Sequence, residues 1–261
     1  MTRTLQLLNW LGFIAVIVTN TLANTLPINN LTTGEVAALY PNYFVPAGFT
    51  FSIWALIYLA LFAFIIWQSG GLYTGEKKPI AVKLIGLWFF FSCLANAAWI
   101  VFWHHLQPLW SLLLMVFLLF TLIQIYRNLG YGKRQLSRLE KICVHLPFSL
   151  YLVWISVATI ANVTAVLVHY NFEGLGLPPE FWSAAMIIVA GLLALFFLNL
   201  NFDFIYALVV VWACIGILAK FYFQNSDSPP VISTSAAAVI ALILYRITRS
   251  ARSFKGNKAY F

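Results

Sequence analysis

The chain has 261 residues, 62% of them hydrophobic and 8% charged, with a formal charge of +8. Soluble domains carry about 25% charged residues, so the composition excludes an ordinary soluble globule and points to one polytopic helical membrane protein. Cys93, Cys143 and Cys214 fall inside apolar runs, at spacings that fit neither a disulfide framework nor a metal site. They read as small core residues.

Eight hydrophobic segments are close to the length that spans a bilayer as a helix, near residues 4–25, 49–69, 82–104, 108–127, 142–170, 182–201, 203–222 and 232–249. The first has Arg3 ahead of its apolar core, but Leu22-Ala23-Asn24-Thr25 is a poor cleavage site, so it reads as a retained span rather than a signal peptide. The sixth and seventh part only at Asn199-Leu200-Asn201-Phe202-Asp203. The expected fold is an all-α polytopic bundle, with residues 1–170 as a five-helix part and 171–261 as three further helices and a basic tail.

Charge then orients the bundle. Arg3, Lys77, Lys78, Lys83, Arg127, Lys133, Arg134, Arg138, Lys141, Arg246, Arg249, Arg252, Lys255 and Lys258 all fall on one side of an eight-span arrangement. Of the 15 Lys and Arg residues only Lys220 falls toward the other. Glu35, Glu173, Glu180 and Asp227 occupy the opposite loops. The positive-inside rule places both termini in the cytoplasm. The net charge is therefore a topology signal and not a nucleic-acid footprint; attraction to anionic lipid follows from it. With no Arg- and Ser-rich transit-like N-terminus, a bacterial inner or plasma membrane is the expected location.

The loop from Thr25 to Gly48 is the longest on the outer side. It holds Pro27, Pro41 and Pro46 and a helix-compatible piece, Gly34 to Tyr40, and is large enough to serve as a lid or as a plain connector. Beneath it the orientation gathers unusual residues at one depth. The first segment brings Asn20 and Asn24, the second Ser52, Trp54 and Tyr58, and the third Asn96, Trp99 and Trp103 on one face. In the fifth, Tyr151, Trp154, Ala158 and Asn162 are spaced three, four and four apart and share a helix face. An unpaired amide in hydrocarbon is costly, so that face looks inward. Two readings fit: helix–helix packing glued by small and polar residues, or a pocket for a flat, largely apolar ligand. In the packing reading Asn96 and Asn162 bond to each other across helices.

Other features point away from chemistry. His104 and His105 at an outer helix end, and His169 near the same surface, read as solvated interface histidines. His145 precedes Pro147, a kink position. Trp10, Trp67, Trp88, Trp110 and Trp182 read as interfacial anchors. Asp203 sits in the inner turn, and no span carries a central ionisable residue, which counts against an ion pump. No Walker loop, dinucleotide fingerprint, GxSxG elbow or acid–base pair appears. The expectation is a binding protein with no required cofactor, not an enzyme.

Three stretches resemble the TspO/MBR family of tryptophan-rich sensory proteins. Leu150-Tyr-Leu-Val-Trp-Ile-Ser-Val-Ala-Thr-Ile-Ala-Asn162 is similar to PYxxWxxxAxxxN, with Tyr151, Trp154, Ala158 and Asn162 matching. Ala95-Asn-Ala-Ala-Trp-Ile-Val-Phe-Trp103 is similar to LNxxWSxxF, with Asn96 and Trp99 matching. The stretch from Pro46 to Tyr58 is similar to PxWxFxxVWxxLY, with Pro46, Trp54 and Tyr58 matching. Gly48 stands where the family has its first Trp, and Leu150 where it has a Pro; the three helices of 171–261 have no counterpart in five-span members. The resemblance implies a five-helix bundle that binds a porphyrin or other tetrapyrrole, or a sterol-like molecule, beneath the first loop. Pro46, Trp54, Tyr58, Asn96, Trp99, Trp103, Tyr151, Trp154, Ala158 and Asn162 are the candidate ligand-binding residues. In that picture the rings stack on a macrocycle, Ala158 gives clearance and Asn96 bonds a polar edge. The implied role is sensing, regulation or transport of the ligand. Alternatives are a transporter that uses the last three helices as a moving element, a packing protein without a small ligand, and an enzyme that degrades its ligand through the tryptophans. Expected partners are the ligand, membrane lipid and a second copy of the chain.

Overall fold

The structure is a computed structural model that describes residues 2–25, 28–73, 80–133, 136–224 and 228–256, with backbone alone for 71–73 and 251–256. Pro27, Lys77, Lys78, Arg134, Asp227, Lys258 and the side chains of Arg252 and Lys255 lie outside the described residues. The other charged residues of the topology pattern are described.

The elements are α1 (Thr2–Thr25), α2 (Thr33–Ala38), α3 (Ile53–Tyr73), α4 (Ile80–Ile85), α5 (Trp88–His104), α6 (Pro108–Leu129), α7 (Arg138–Glu140), α8 (Leu146–His169), α9 (Pro179–Asn201), α10 (Phe204–Phe223) and α11 (Pro230–Gly256). A π turn, Lys141–His145, joins α7 to α8 just before Pro147, so the irregularity expected at that proline is a widened turn at the helix start. Seven helical stretches are long and apolar enough to cross a membrane, and α5 is a shorter apolar helix. The chain is an integral multi-pass helical protein.

The segment near 82–104 does not run as one helix. Gly86 takes a left-handed φ of 59° and ends α4, its N–H bonding to the Val82 carbonyl at 3.0 Å. A left-handed residue after the last turn is a common helix stop, and glycine adopts it without steric cost. The 17 residues of α5 cover about 25 Å at 1.5 Å per residue, short of a typical ~30 Å hydrocarbon core.

The sequence pattern is inside-out relative to a soluble helix. Along α1, Leu7, Leu11, Ile14, Val18 and Leu22 are exposed, while Gln6, Asn9 and Asn20 are buried. Lipid is as apolar as leucine, so no hydrophobic force drives the helices together; close packing and interhelical hydrogen bonds do.

By its contacts the chain divides into two compact units. One comprises Met1–Pro41 and Phe51–Phe172, the other Asn42–Thr50 and Glu173–Phe261. In the first unit α5 packs on α1 and α6, and α8 on α6 and α3. Gly12 lets α1 approach α5: a Cβ there would stand 3.1 Å from the Cys93 Cβ. At one end of α1, Asn9 Nδ2 donates to Gln68 Oε1 at 2.8 Å, Gln6 donates to the Gln68 carbonyl, and Trp10 Nε1 donates to Ser69 Oγ at 2.8 Å. Phe64, Phe89 and Phe148 meet edge-on with centroids 5.0–5.6 Å apart and fix α3, α5 and α8 around one point.

In the second unit α9, α10 and α11 pack on one another. A Cβ on Gly191 would fall 2.7 Å from Val239 Cγ2, so α9 and α11 touch there. The turn between α9 and α10 lies where the polar residues placed it. Phe202 takes φ 52°, and the Asp203 carboxylate caps α10 by accepting from Tyr206 N at 3.0 Å. Cys93 and Cys214 are buried and Cys143 is half-buried, all as free thiols.

Candidate functional site

Nine of the ten candidate residues lie in the first unit, and rings and amides tie them into one cluster. Trp54 of α3 is its centre. It stacks on Tyr58 one turn later (5.4 Å, 21°) and on Trp99 of α5 (6.1 Å, 28°). It meets Tyr151 and Trp154 of α8 edge-on at 6.1 and 6.4 Å. Trp99 continues the stack to Trp103 (6.2 Å, 20°). Spacings of three and four along each helix bring this about, since each ring follows the last by one turn.

The amides hold the rings. Asn20 Nδ2 donates to Asn96 Oδ1 at 2.9 Å, and Asn96 Nδ2 donates to the Tyr151 hydroxyl at 2.7 Å, linking α1, α5 and α8. Asn162 Oδ1 accepts from Trp99 Nε1 at 3.2 Å and from Ser111 Oγ at 3.0 Å, linking α8, α5 and α6. Asn96 and Asn162 therefore do not bond to each other; each anchors its own three-helix junction. Asn96 is 0% exposed and both of its polar atoms have partners, so it bridges Asn20 and the Tyr151 hydroxyl. Asn20 and Ser111 complete these junctions. Asn20 carried a signal in its depth, whereas Ser111 had none beyond being a hydroxyl in an apolar run.

Trp154 differs from Trp99 and Trp103. Trp99 Nε1 and Trp103 Nε1 have acceptors, whereas Trp154 Nε1 is buried without one. Phe51 lies edge-on to the Trp154 ring at 6.1 Å, a neighbour that sequence reasoning missed although it sits three residues before Trp54. The Tyr58 hydroxyl is buried beside Asn96 without meeting hydrogen-bond geometry. Around this group Phe51, Trp54, Tyr58, Ala158 and Thr159 keep part of their surface accessible.

The early part of the long loop packs over the C-terminal end of α5. The helix-compatible piece forms α2, closed by a capping box between Thr32 and Glu35. Trp103 Nε1 donates to the Thr33 carbonyl at 3.2 Å, and Tyr40 packs on the Trp103 ring at 5.6 Å. His104 is not a solvated interface residue. It is 0% exposed, with Nε2 3.1 Å from Thr33 Oγ1 and Nδ1 3.3 Å from the Ile28 carbonyl, and it clasps the loop. His105 and His169 are exposed. The Glu35 carboxyl is held below its ordinary value, first by the Thr32 N–H and then by the Thr32 hydroxyl. Among the described residues no three His, Cys, Asp or Glu side chains gather as metal ligands.

Pro46 is the exception. It belongs to the second unit, where Ala47 N donates to the Gly216 carbonyl at 3.0 Å and Pro46 Cβ would lie 2.9 Å from a Cβ on Gly216. The motif that runs from Pro46 to Tyr58 is thus divided between the units after Thr50.

Comparison with known proteins adds one result. A family model described as TSPO-like protein matches residues 6–248, past the five-helix part and through α9, α10 and most of α11. No curated protein and no solved structure matches. With a match over nearly its whole length and the aromatic–amide motifs gathered in one cluster, the chain belongs to the TSPO-like protein family.

Proposed function

We propose that this protein is a membrane receptor or regulator that binds a flat, largely apolar ligand against Trp54, Phe51, Trp154 and Ala158. The observation that carries the reading is the Trp154 indole N–H, buried without an acceptor beside the partly accessible Trp54 ring. An unmade buried hydrogen bond costs about 1–3 kcal/mol, which a ligand acceptor would return. The ligand class is a tetrapyrrole or a sterol-like molecule: a ring system that stacks on tryptophan and brings an oxygen or nitrogen acceptor to Nε1. Asn20, Asn96, Ser111 and Asn162 hold the rings in place before the ligand arrives. The reading is of a binding protein, with both termini cytoplasmic in a bacterial inner or plasma membrane.

Equilibrium titration with protoporphyrin IX tests it. Trp154→Phe keeps an aromatic ring but removes the N–H and part of the indole, and should weaken binding about five- to tenfold, with detergent stability measured alongside to separate the cost of the cavity. Unchanged affinity would refute the role of Nε1. Transport is the second reading, favoured by the division into two units. Ligand flux across sealed proteoliposomes would support it, and saturable binding without flux would reject it.

A further inference from the structure

The segment Asn42–Thr50 leaves the first unit after Pro41 and returns to it at Phe51. Between those points it is fastened to one face of α10, at three positions one turn apart. Trp212 Nε1 donates to the Thr50 carbonyl at 3.1 Å, Ala47 N donates to the Gly216 carbonyl at 3.0 Å, and Lys220 Nζ donates to the Asn42 carbonyl at 2.7 Å. Residues 212, 216 and 220 are spaced by four, so α10 presents a row of fasteners. Rings flank the row: Phe49 meets Trp212 edge-on at 5.5 Å, and Tyr43 stacks on Phe221 at 6.2 Å.

Gly216 is the tightest point. A Cβ there would lie 2.2 Å from Thr50 Oγ1, 2.8 Å from Thr50 Cγ2 and 2.9 Å from Pro46 Cβ. No side chain other than hydrogen fits while the segment is seated. Lys220 is the one cation outside the positive-inside pattern, and its bond to the Asn42 carbonyl accounts for a cation at that position. After Thr50 the chain enters α3 at Ile53, and Trp54 follows four residues after Thr50.

We infer that α10 is a clamp, with Gly216 and Lys220 as positioning residues that seat Asn42–Thr50 and thereby fix the first turn of α3 and the Trp54 ring it carries. The effect on ligand affinity rests on the reading of Trp54 as part of the binding face; the effect on α3 does not. One of the three helices beyond the five-helix bundle, α10, thus serves to hold the segment that leads into the binding helix.

Hydrogen–deuterium exchange on the full-length protein in nanodiscs tests the clamp without ligand. Lys220→Met and Gly216→Ala should each speed exchange of amides 42–50 and 53–57 about tenfold, with α5 and α8 unchanged. Thr50→Ala removes Oγ1 and Cγ2, and Thr50 Oγ1 has no hydrogen-bond partner to lose. Gly216→Ala with Thr50→Ala should therefore recover much of the protection that Gly216→Ala loses, a rescue that general damage to α10 would not allow. Unchanged exchange at 42–50 in both single variants overturns the clamp. Faster exchange at 42–50 with none at 53–57 overturns the positioning of α3. Protoporphyrin IX titration of Lys220→Met should show about a fivefold loss of affinity; full affinity alongside faster exchange at 53–57 would overturn the coupling to Trp54 while leaving the binding reading intact. Absence of binding by the wild type would remove that reading and leave the exchange results to decide the clamp.

Discussion

Replacing Asn96 by leucine asks whether the amides hold the aromatic cluster. Leucine keeps the branched shape and removes two interhelical bonds, the one from Asn20 Nδ2 and the one to the Tyr151 hydroxyl. Side-chain hydrogen bonds between membrane helices average about 0.6 kcal/mol each. Asn20 keeps its bond to the Val16 carbonyl at 2.9 Å, so it is not orphaned. The Tyr151 side chain is 1% exposed and its hydroxyl loses its partner, at a further cost of roughly 1–2 kcal/mol. The expected loss is about 2–3 kcal/mol. Unfolding in mixed dodecylmaltoside–SDS micelles, followed by tryptophan fluorescence, measures it. Tyr151→Phe loses one bond and orphans only part of the Asn96 amide, so it should cost about 1 kcal/mol. The double variant leaves no stranded hydroxyl and should cost about 1 kcal/mol less than the sum of the singles. A neutral Asn96→Leu, or strictly additive singles, would refute the reasoning.

Three further perturbations address the frame around the cluster. Gly86→Ala places a Cβ at φ 59° and should destabilise by about 1 kcal/mol, with Gly86→Asn costing clearly less; equal costs would mean that the left-handed turn does not matter. His104→Leu removes the contacts to Thr33 and Ile28 and should speed hydrogen exchange of residues 28–38 several-fold, while His105→Leu at an exposed position should not; equal effects would contradict the clasp. Glu35 is lowered on folding, so the capping stabilisation is present above the ordinary value of 4.5 and is lost as pH falls through the lower folded value. Protection of the α2 amides, corrected for the intrinsic pH dependence of exchange, should therefore fall on acidification in the wild type and show no such step in Glu35→Gln, where a persisting step would assign the titration elsewhere.

Much of this arrangement was legible in the chain. Apolar run lengths located the helices within a few residues, because a bilayer fixes that length. The three-and-four spacing of Tyr151, Trp154, Ala158 and Asn162 gave the inward face, and depth brought Trp54 and Trp99 to the same level. Hydrogen-bond partners were less legible. Asn96 and Asn162 each had several candidates at similar depth, and the choice of Asn20, Tyr151, Trp99 and Ser111 depends on helix rotation, which spacing does not fix. His104 read as wet because it ends a helix, but the loop that covers it returns from distant sequence. Gly86 did carry a signal, as a lone glycine among helix formers near a segment start. The seating of residues 42–50 on α10 pairs positions more than 160 apart, with Gly216 indistinguishable from any other span glycine.

The proposed function stands or falls on whether the Trp54–Trp154 face receives a flat ligand over Ala158. Quenching of intrinsic tryptophan fluorescence by protoporphyrin IX, wild type against Ala158→Phe, decides it. The wild type should show saturable one-site quenching. Ala158→Phe should show a site at least tenfold weaker, because its added ring fills the clearance while the unfolding midpoint holds. Linear quenching, or identical saturation in the two proteins, would contradict the binding face and return the cluster to helix packing alone.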